Sequence, residues 1–100
     1  SLSVEEINYM AISEIVFVQV HLFGASNGTT ATFTLPFTVS DRDQLIYFTG
    51  YASDNGTGGL GYIKLSGGSA TATCYYATPG GAFTNSGLKS VIASFFYEIA

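Results

Sequence analysis

Residues 14–23 read Glu14-Ile15-Val16-Phe17-Val18-Gln19-Val20-His21-Leu22-Phe23, and this stretch decides the fold class. Val16, Val18, Val20 and Leu22 fall on one side of a period-two repeat, and Ile15, Phe17, Gln19, His21 and Phe23 fall on the other. Alternation of this kind, rich in β-branched and aromatic residues, is the pattern of a strand. Similar runs follow. Thr29 to Leu35 alternates Ala31, Phe33 and Leu35 with threonines, and Gln44 to Ala52 carries Leu45, Ile46, Tyr47, Phe48 and Tyr51. Leu60 to Leu65 is short, and Ser69 to Ala77 sets Ala70, Ala72 and Cys74 against Thr71 and Thr73. Lys89 to Ile99 sets Val91, Ala93, Phe95, Tyr97 and Ile99 against Ser90, Ile92, Ser94, Phe96 and Glu98.

Turn sequences separate these runs, among them Ser53-Asp54-Asn55-Gly56, Ser66-Gly67-Gly68 and Pro79-Gly80-Gly81. Short strands at this spacing predict an all-β, antiparallel sandwich or barrel, and the sandwich is the expected form. At 100 residues, with no linker, the chain is expected to be a single domain over 1–100. The N-terminus has two readings. Ser3-Val4-Glu5-Glu6 has the spacing of a helix capping box, whereas Ile7, Tyr9 and Ala11 alternate with Asn8, Met10 and Ile12 as a strand would. The strand is preferred, because an isolated helical turn in a β-rich chain has little to pack on.

Charged residues make up 10% of the chain, against about 25% in an ordinary soluble domain. Arg42, Lys64 and Lys89 are the fixed cations and the net charge is −4, so neither nucleic acid nor an anionic membrane is an expected partner. No apolar run reaches the length of a membrane span. The chain begins at Ser1 without a basic or signal-like segment, which suggests a fragment of a longer protein. The single cysteine, Cys74, excludes an intrachain disulfide and reads as a small buried hydrophobe.

Little here points to catalysis. His21 is the lone histidine and no G-x-S-x-G motif is present, so an enzyme is not expected, and no cofactor or metal is called for. Asp41-Arg42-Asp43 supplies two carboxylates of the several oxygens a calcium site needs, and reads first as a polar loop with Arg42 neutralising its neighbours. Asn27-Gly28-Thr29 and Asn55-Gly56-Thr57 match a glycosylation acceptor but also read as turns. The positive signal is aromatic. Tyr47, Tyr51, Tyr62, Tyr75 and Tyr76 each carry a polar tip that wants a partner.

Three runs, Glu14–Phe23, Gln44–Ala52 and Lys89–Ile99, are apolar on both sides. A monomeric sandwich has one wet face per sheet, so the second face is expected to meet another subunit through Ile15, Phe17, Ile46, Phe48, Ile92 and Phe96.

The order of motifs adds a resemblance. Tyr9-x-x-Ile12-x-x-Ile15-Val16-x-Val18 runs through a Gly/Ser/Thr turn to Phe33-Thr34-Leu35-Pro36-Phe37, and the chain ends in Ser94-Phe95-Phe96-Tyr97-Glu98. This resembles the C-terminal head domains of bacteriophage tail fibres and related virion appendages. Those domains often open with Tyr-x-x-Ile-Gly-x-x-Val, pass a Leu-Pro-Phe corner and close on an aromatic strand. Here Ser13 stands where glycine is usual, and Met10 and Ala11 replace a polar pair. The resemblance implies a jelly-roll-like sandwich, a homotrimer at the end of a fibre, location in the virion, and attachment to a glycan or envelope component of the host surface. Contacts to the receptor would then come from Asp41, Arg42, Asp43, Asp54, Asn55 and Asn85 in loops, with Tyr75 and Tyr76 stacking on sugar rings. The competing expectation is a trimerisation or decoration module with no receptor of its own.

Overall fold

The computed structural model describes residues 4–25, 28–42, 45–84 and 87–99. Seven strands follow one another: β1 (Val4–Ile12), β2 (Ile15–Ala25), β3 (Ala31–Thr34), β4 (Leu45–Asp54), β5 (Thr57–Ser66), β6 (Thr71–Tyr76) and β7 (Leu88–Glu98). The N-terminal segment is a strand, with its alternation set by pairing to β2 from Val4↔Phe23 to Ile12↔Ile15. Two-residue connections make the tight hairpins. Asn55 and Gly56 join β4 to β5 with φ of +51° and +85°, the positive pair that a type I′ turn requires. Ser13 occupies the β1–β2 turn at φ +57°.

All the strands belong to one antiparallel sheet in the order β1-β2-β7-β4-β5-β6-β3, and the sheet curls into a nearly closed barrel. The expected two-sheet, jelly-roll-like sandwich is therefore corrected. The reason lies in β7. It pairs with β2 along eleven positions and with β4 at four, Tyr51↔Ile92 to Asp54↔Lys89, so the ladder runs unbroken from one half to the other. Beyond Tyr51, β4 leaves β7 while staying paired with β5 as far as Leu45↔Ser66. This divergence starts at Gly50, which faces Gly61, and glycine pairs of this kind let a sheet bend into a barrel.

The interior is filled by side chains of one parity from each strand. Val16, Val18, Val20 and Leu22 of β2 meet Val91, Ala93, Phe95 and Tyr97 of β7, and Phe33, Ile63, Leu65, Ala72 and Cys74 close in from the opposite wall. Phe95 lies at the aromatic centre, with ring centroids 5.3 Å from Phe48 and 6.3 Å from both Phe33 and Tyr97. Lys89, at the start of β7, is 1% exposed.

The Leu35-Pro36-Phe37 corner is held by Tyr97. The Tyr97 hydroxyl donates to the Phe37 carbonyl at 2.8 Å and accepts from the Phe37 N–H at 3.2 Å. Pro36 has no N–H to offer and keeps Leu35 extended, so the chain leaves β3 here and crosses to the far end of β7, where Val39 bridges Ile99. Tyr9 packs edge-on against Phe37 at 5.8 Å, tying the free side of β1 to the same corner. Tyr97→Phe removes both bonds while keeping the ring, and is expected to lower stability by about 1 kcal/mol in urea unfolding.

Candidate functional site

The loop residues first expected to meet a receptor are largely occupied within the domain. Both oxygens of the buried Asp54 carboxylate accept from Thr84, one from its N–H at 3.0 Å and one from its hydroxyl at 2.9 Å. The Asn55 side-chain amide donates to the same hydroxyl at 2.8 Å. Together they fasten the 80s loop to the β4–β5 turn. Arg42 forms an ion pair with Glu98, an exposed contact worth at most about 1 kcal/mol. Asp41 is exposed and its carboxylate lies against Gly68. Asp43 and Asn85 lie outside the described residues. Among the described residues no three His, Cys, Asp or Glu side chains gather as a metal site.

Adjacent tyrosines part company in the same way. Tyr76 has inward parity. Its ring lies 5.7 Å from Phe83 and its hydroxyl donates to the Thr57 carbonyl at 3.0 Å, so it plugs one end of the barrel. Tyr75 has outward parity and stands on the outer surface of β4, β5 and β6. In register, Thr49 faces Tyr62 and Tyr62 faces Tyr75, while Tyr47 faces Lys64 and Lys64 faces Thr73. Side chains opposite one another in antiparallel strands share a face, so these residues form one patch. The Tyr47 and Tyr75 rings lie 6.4 Å apart at 45°, and the Lys64 ammonium sits 5.6 Å from the Tyr75 ring centroid. Hydrogen bonding to the Tyr75 hydroxyl, reinforced by the charge interaction with Tyr75 and Tyr47, raises the Lys64 pKa and keeps the ammonium charged. Tyr47, Tyr62 and Lys64 were absent from the expected contacts. The signal was present, since Tyr47, Tyr62 and Tyr75 alternate with core residues.

A second outer surface spans β1, β2 and β7. Met10 faces Phe17 and Phe17 faces Phe96, with the last two rings 5.9 Å apart. Asn8, Gln19 and Ser94 form the next row, and Glu6, His21 and Ile92 the one after. The first two rows line an open groove of about 540 Å³, and the polar row and its neighbours line a second of about 240 Å³. Strand β1 is exposed on both faces, with Tyr9 54% and Met10 58% accessible, and among the described residues its outer edge carries no partner strand. Of the six residues expected at a subunit interface, Phe17, Ile92 and Phe96 are exposed here and Ile15 is half-buried beside them. Ile46 and Phe48 are not on this surface. They have inward parity and pack on the core, Phe48 stacked on Phe95 at 27°.

His21 and Cys74 lie on opposite sides of the barrel wall, His21 outside and Cys74 in the core. Burial, with the negative charge of Glu5 as a smaller contribution, pushes the Cys74 thiol up to about 12. The thiol is therefore protonated at neutral pH and is a poor nucleophile. Tyr97 is also raised by burial, with the Phe37 hydrogen bond pulling the other way. Both groups hold protons in the folded state that the unfolded chain releases near pH 9–10, so their contribution is intact below pH 9 and fades as pH rises above it, for Cys74 as far as about 12. The urea midpoint is expected to fall over that window, and less steeply in Cys74→Ala than in the native chain.

Comparison with protein-family models, with curated proteins and with solved structures finds no match, so the assignment rests on the chemistry of these two outer faces.

Proposed function

We propose that the chain is a non-enzymatic head domain of a virion fibre, assembled as a homotrimer and carrying host-surface attachment on its remaining face. One observation supports this reading above the others. The outer face of β1, β2 and β7 presents Met10, Phe17 and Phe96 as one exposed apolar row, with exposed Ile92 beyond the polar row of Asn8, Gln19 and Ser94, beside the outer edge of β1, which pairs with no described strand. Contiguous exposed apolar area and a long bare edge are both liabilities for a free monomer, and both are removed when copies pack around a symmetry axis. The tyrosine patch of β4, β5 and β6 lies apart from that face, as a surface for recognition must in an assembled head.

Light scattering from tens of micromolar downward tests the assembly. A mass of three chains that drops to one in a Phe17→Glu, Phe96→Glu double variant is the expected result. A monomer at every concentration defeats the reading.

The alternative of a trimerisation or decoration module without a receptor has its own support. Asp54, Asn55 and Tyr76 spend their polar groups on Thr84 and Thr57 rather than presenting them. A stable trimer that adheres to no saccharide and to no host cell favours that module.

A further inference from the structure

Lys64 is the cation this chain presents on an outer strand face. Arg42 is engaged with Glu98, and Lys89 is buried at the end of the barrel. In a chain of net charge −4, the groups that act on the Lys64 ammonium are tyrosines, Tyr75 first and Tyr47 after it. An ammonium kept among phenolic rings, rather than against a carboxylate, retains donors for an anion from outside.

The surroundings narrow that anion. Tyr47, Tyr62 and Tyr75 bring phenol rings to this face, that of Tyr75 with the Lys64 ammonium 5.6 Å from its centroid, and Thr49 and Thr73 flank them in register with hydroxyls. Ring faces suit the C–H side of a pyranose, and the phenol and threonine hydroxyls suit its hydroxyl groups. A polyanion is disfavoured, because one lysine cannot offset the repulsion of an acidic protein. A phosphate is better served by the arginine fork or by clustered donors, whereas a single point charge matches one carboxylate.

We infer that the outer face formed by Tyr47, Tyr62, Lys64 and Tyr75 binds an acidic saccharide, its sugar ring lying on the tyrosines and its carboxylate on the Lys64 ammonium. The inference rests on the attachment reading and names the ligand class for it. Tyr75 stays in the role first expected of it, while Lys64 becomes the residue that selects charge. The site is a shallow platform, so affinity for one sugar is weak and a multimeric head multiplies it.

The test is an array of carboxylate-bearing and neutral oligosaccharides, with an otherwise neutral oligosaccharide ending in a single galacturonic acid printed beside its methyl ester as a matched pair. It is probed with the native chain, Lys64→Met and Tyr75→Ala, each first shown to unfold cooperatively. The expected result is retention on carboxylate-bearing spots, at least tenfold weaker on the methyl ester and on all spots for Lys64→Met, and lost for Tyr75→Ala. Retention on neutral sugars that Lys64→Met leaves unchanged overturns the acidic assignment and leaves attachment standing. An array blank throughout, with no adhesion to host cells, overturns both.

Discussion

Gly50→Val is expected to remove most of the stability of this domain. A Cβ at position 50 would lie 2.6 Å from the Ile92 carbonyl oxygen and 2.7 Å from the Ala93 Cβ, well inside van der Waals contact. Neither neighbour is the movable end of a long side chain. Both belong to the central strand β7, which is held by β2 along its whole length. The opposite position is no freer, because a Cβ on Gly61 would lie 2.8 Å from the Ala52 Cβ. Relief therefore requires β4 and β7 to separate at the point where the sheet turns into a barrel. Overpacking typically costs about 1–3 kcal/mol, and a branched side chain against fixed backbone belongs at the top of that range or beyond. A domain of this size has only about 5–15 kcal/mol in all. Gly59→Ala is the matched control, since a Cβ there meets nothing nearer than the Tyr76 hydroxyl at 3.6 Å. Chemical unfolding should show a loss of at least about 3 kcal/mol for Gly50→Val and little change for Gly59→Ala.

The second large effect lies at Phe95. Its ring is 5% exposed and touches aromatic partners from β3, β4 and its own strand. Removing it leaves a cavity whose walls are ring faces anchored in separate strands, which cannot easily collapse together. Phe95→Ala should cost about 3–5 kcal/mol. Its neighbour Phe96, 55% exposed, gives the opposite outcome. Phe96→Ala should leave the stability of a dilute monomer nearly unchanged while weakening assembly in light scattering. Two adjacent phenylalanines thus separate the core from the proposed interface in one pair of experiments.

Residues 14–23 carry their fold in their order. Valines at every second position, with a leucine completing the series, have one arrangement that buries them all, and β2 adopts it. The same holds for Phe33 and Leu35, and for the odd-numbered positions of β7. The strand at the N-terminus and the turn at Asn55-Gly56 were legible for equally local reasons, period and backbone preference.

Leu45-Ile46-Tyr47-Phe48 was not legible in this way, because both parities are apolar and period alone cannot choose between them. The choice came from Gly50 and Ala52, which share parity with Ile46 and Phe48 and lie where β4 presses on β7. Small residues must face the close approach, so Ile46 and Phe48 turned inward and Tyr47 outward. The tyrosine patch follows from that choice. Tyr47, Lys64 and Tyr75 are distant in the chain and meet only through strand register.

What residues 14–23 and their counterparts determined by themselves is an antiparallel, all-β chain with an identifiable set of buried side chains, because alternation is a local property and burial rewards it directly. What only the tertiary structure decided is that these strands form one curled sheet rather than two, and which apolar or aromatic side chains remain outside. Those outcomes depend on the partners of β7 and on register between strands far apart in sequence, and a single strand's period carries no information about either.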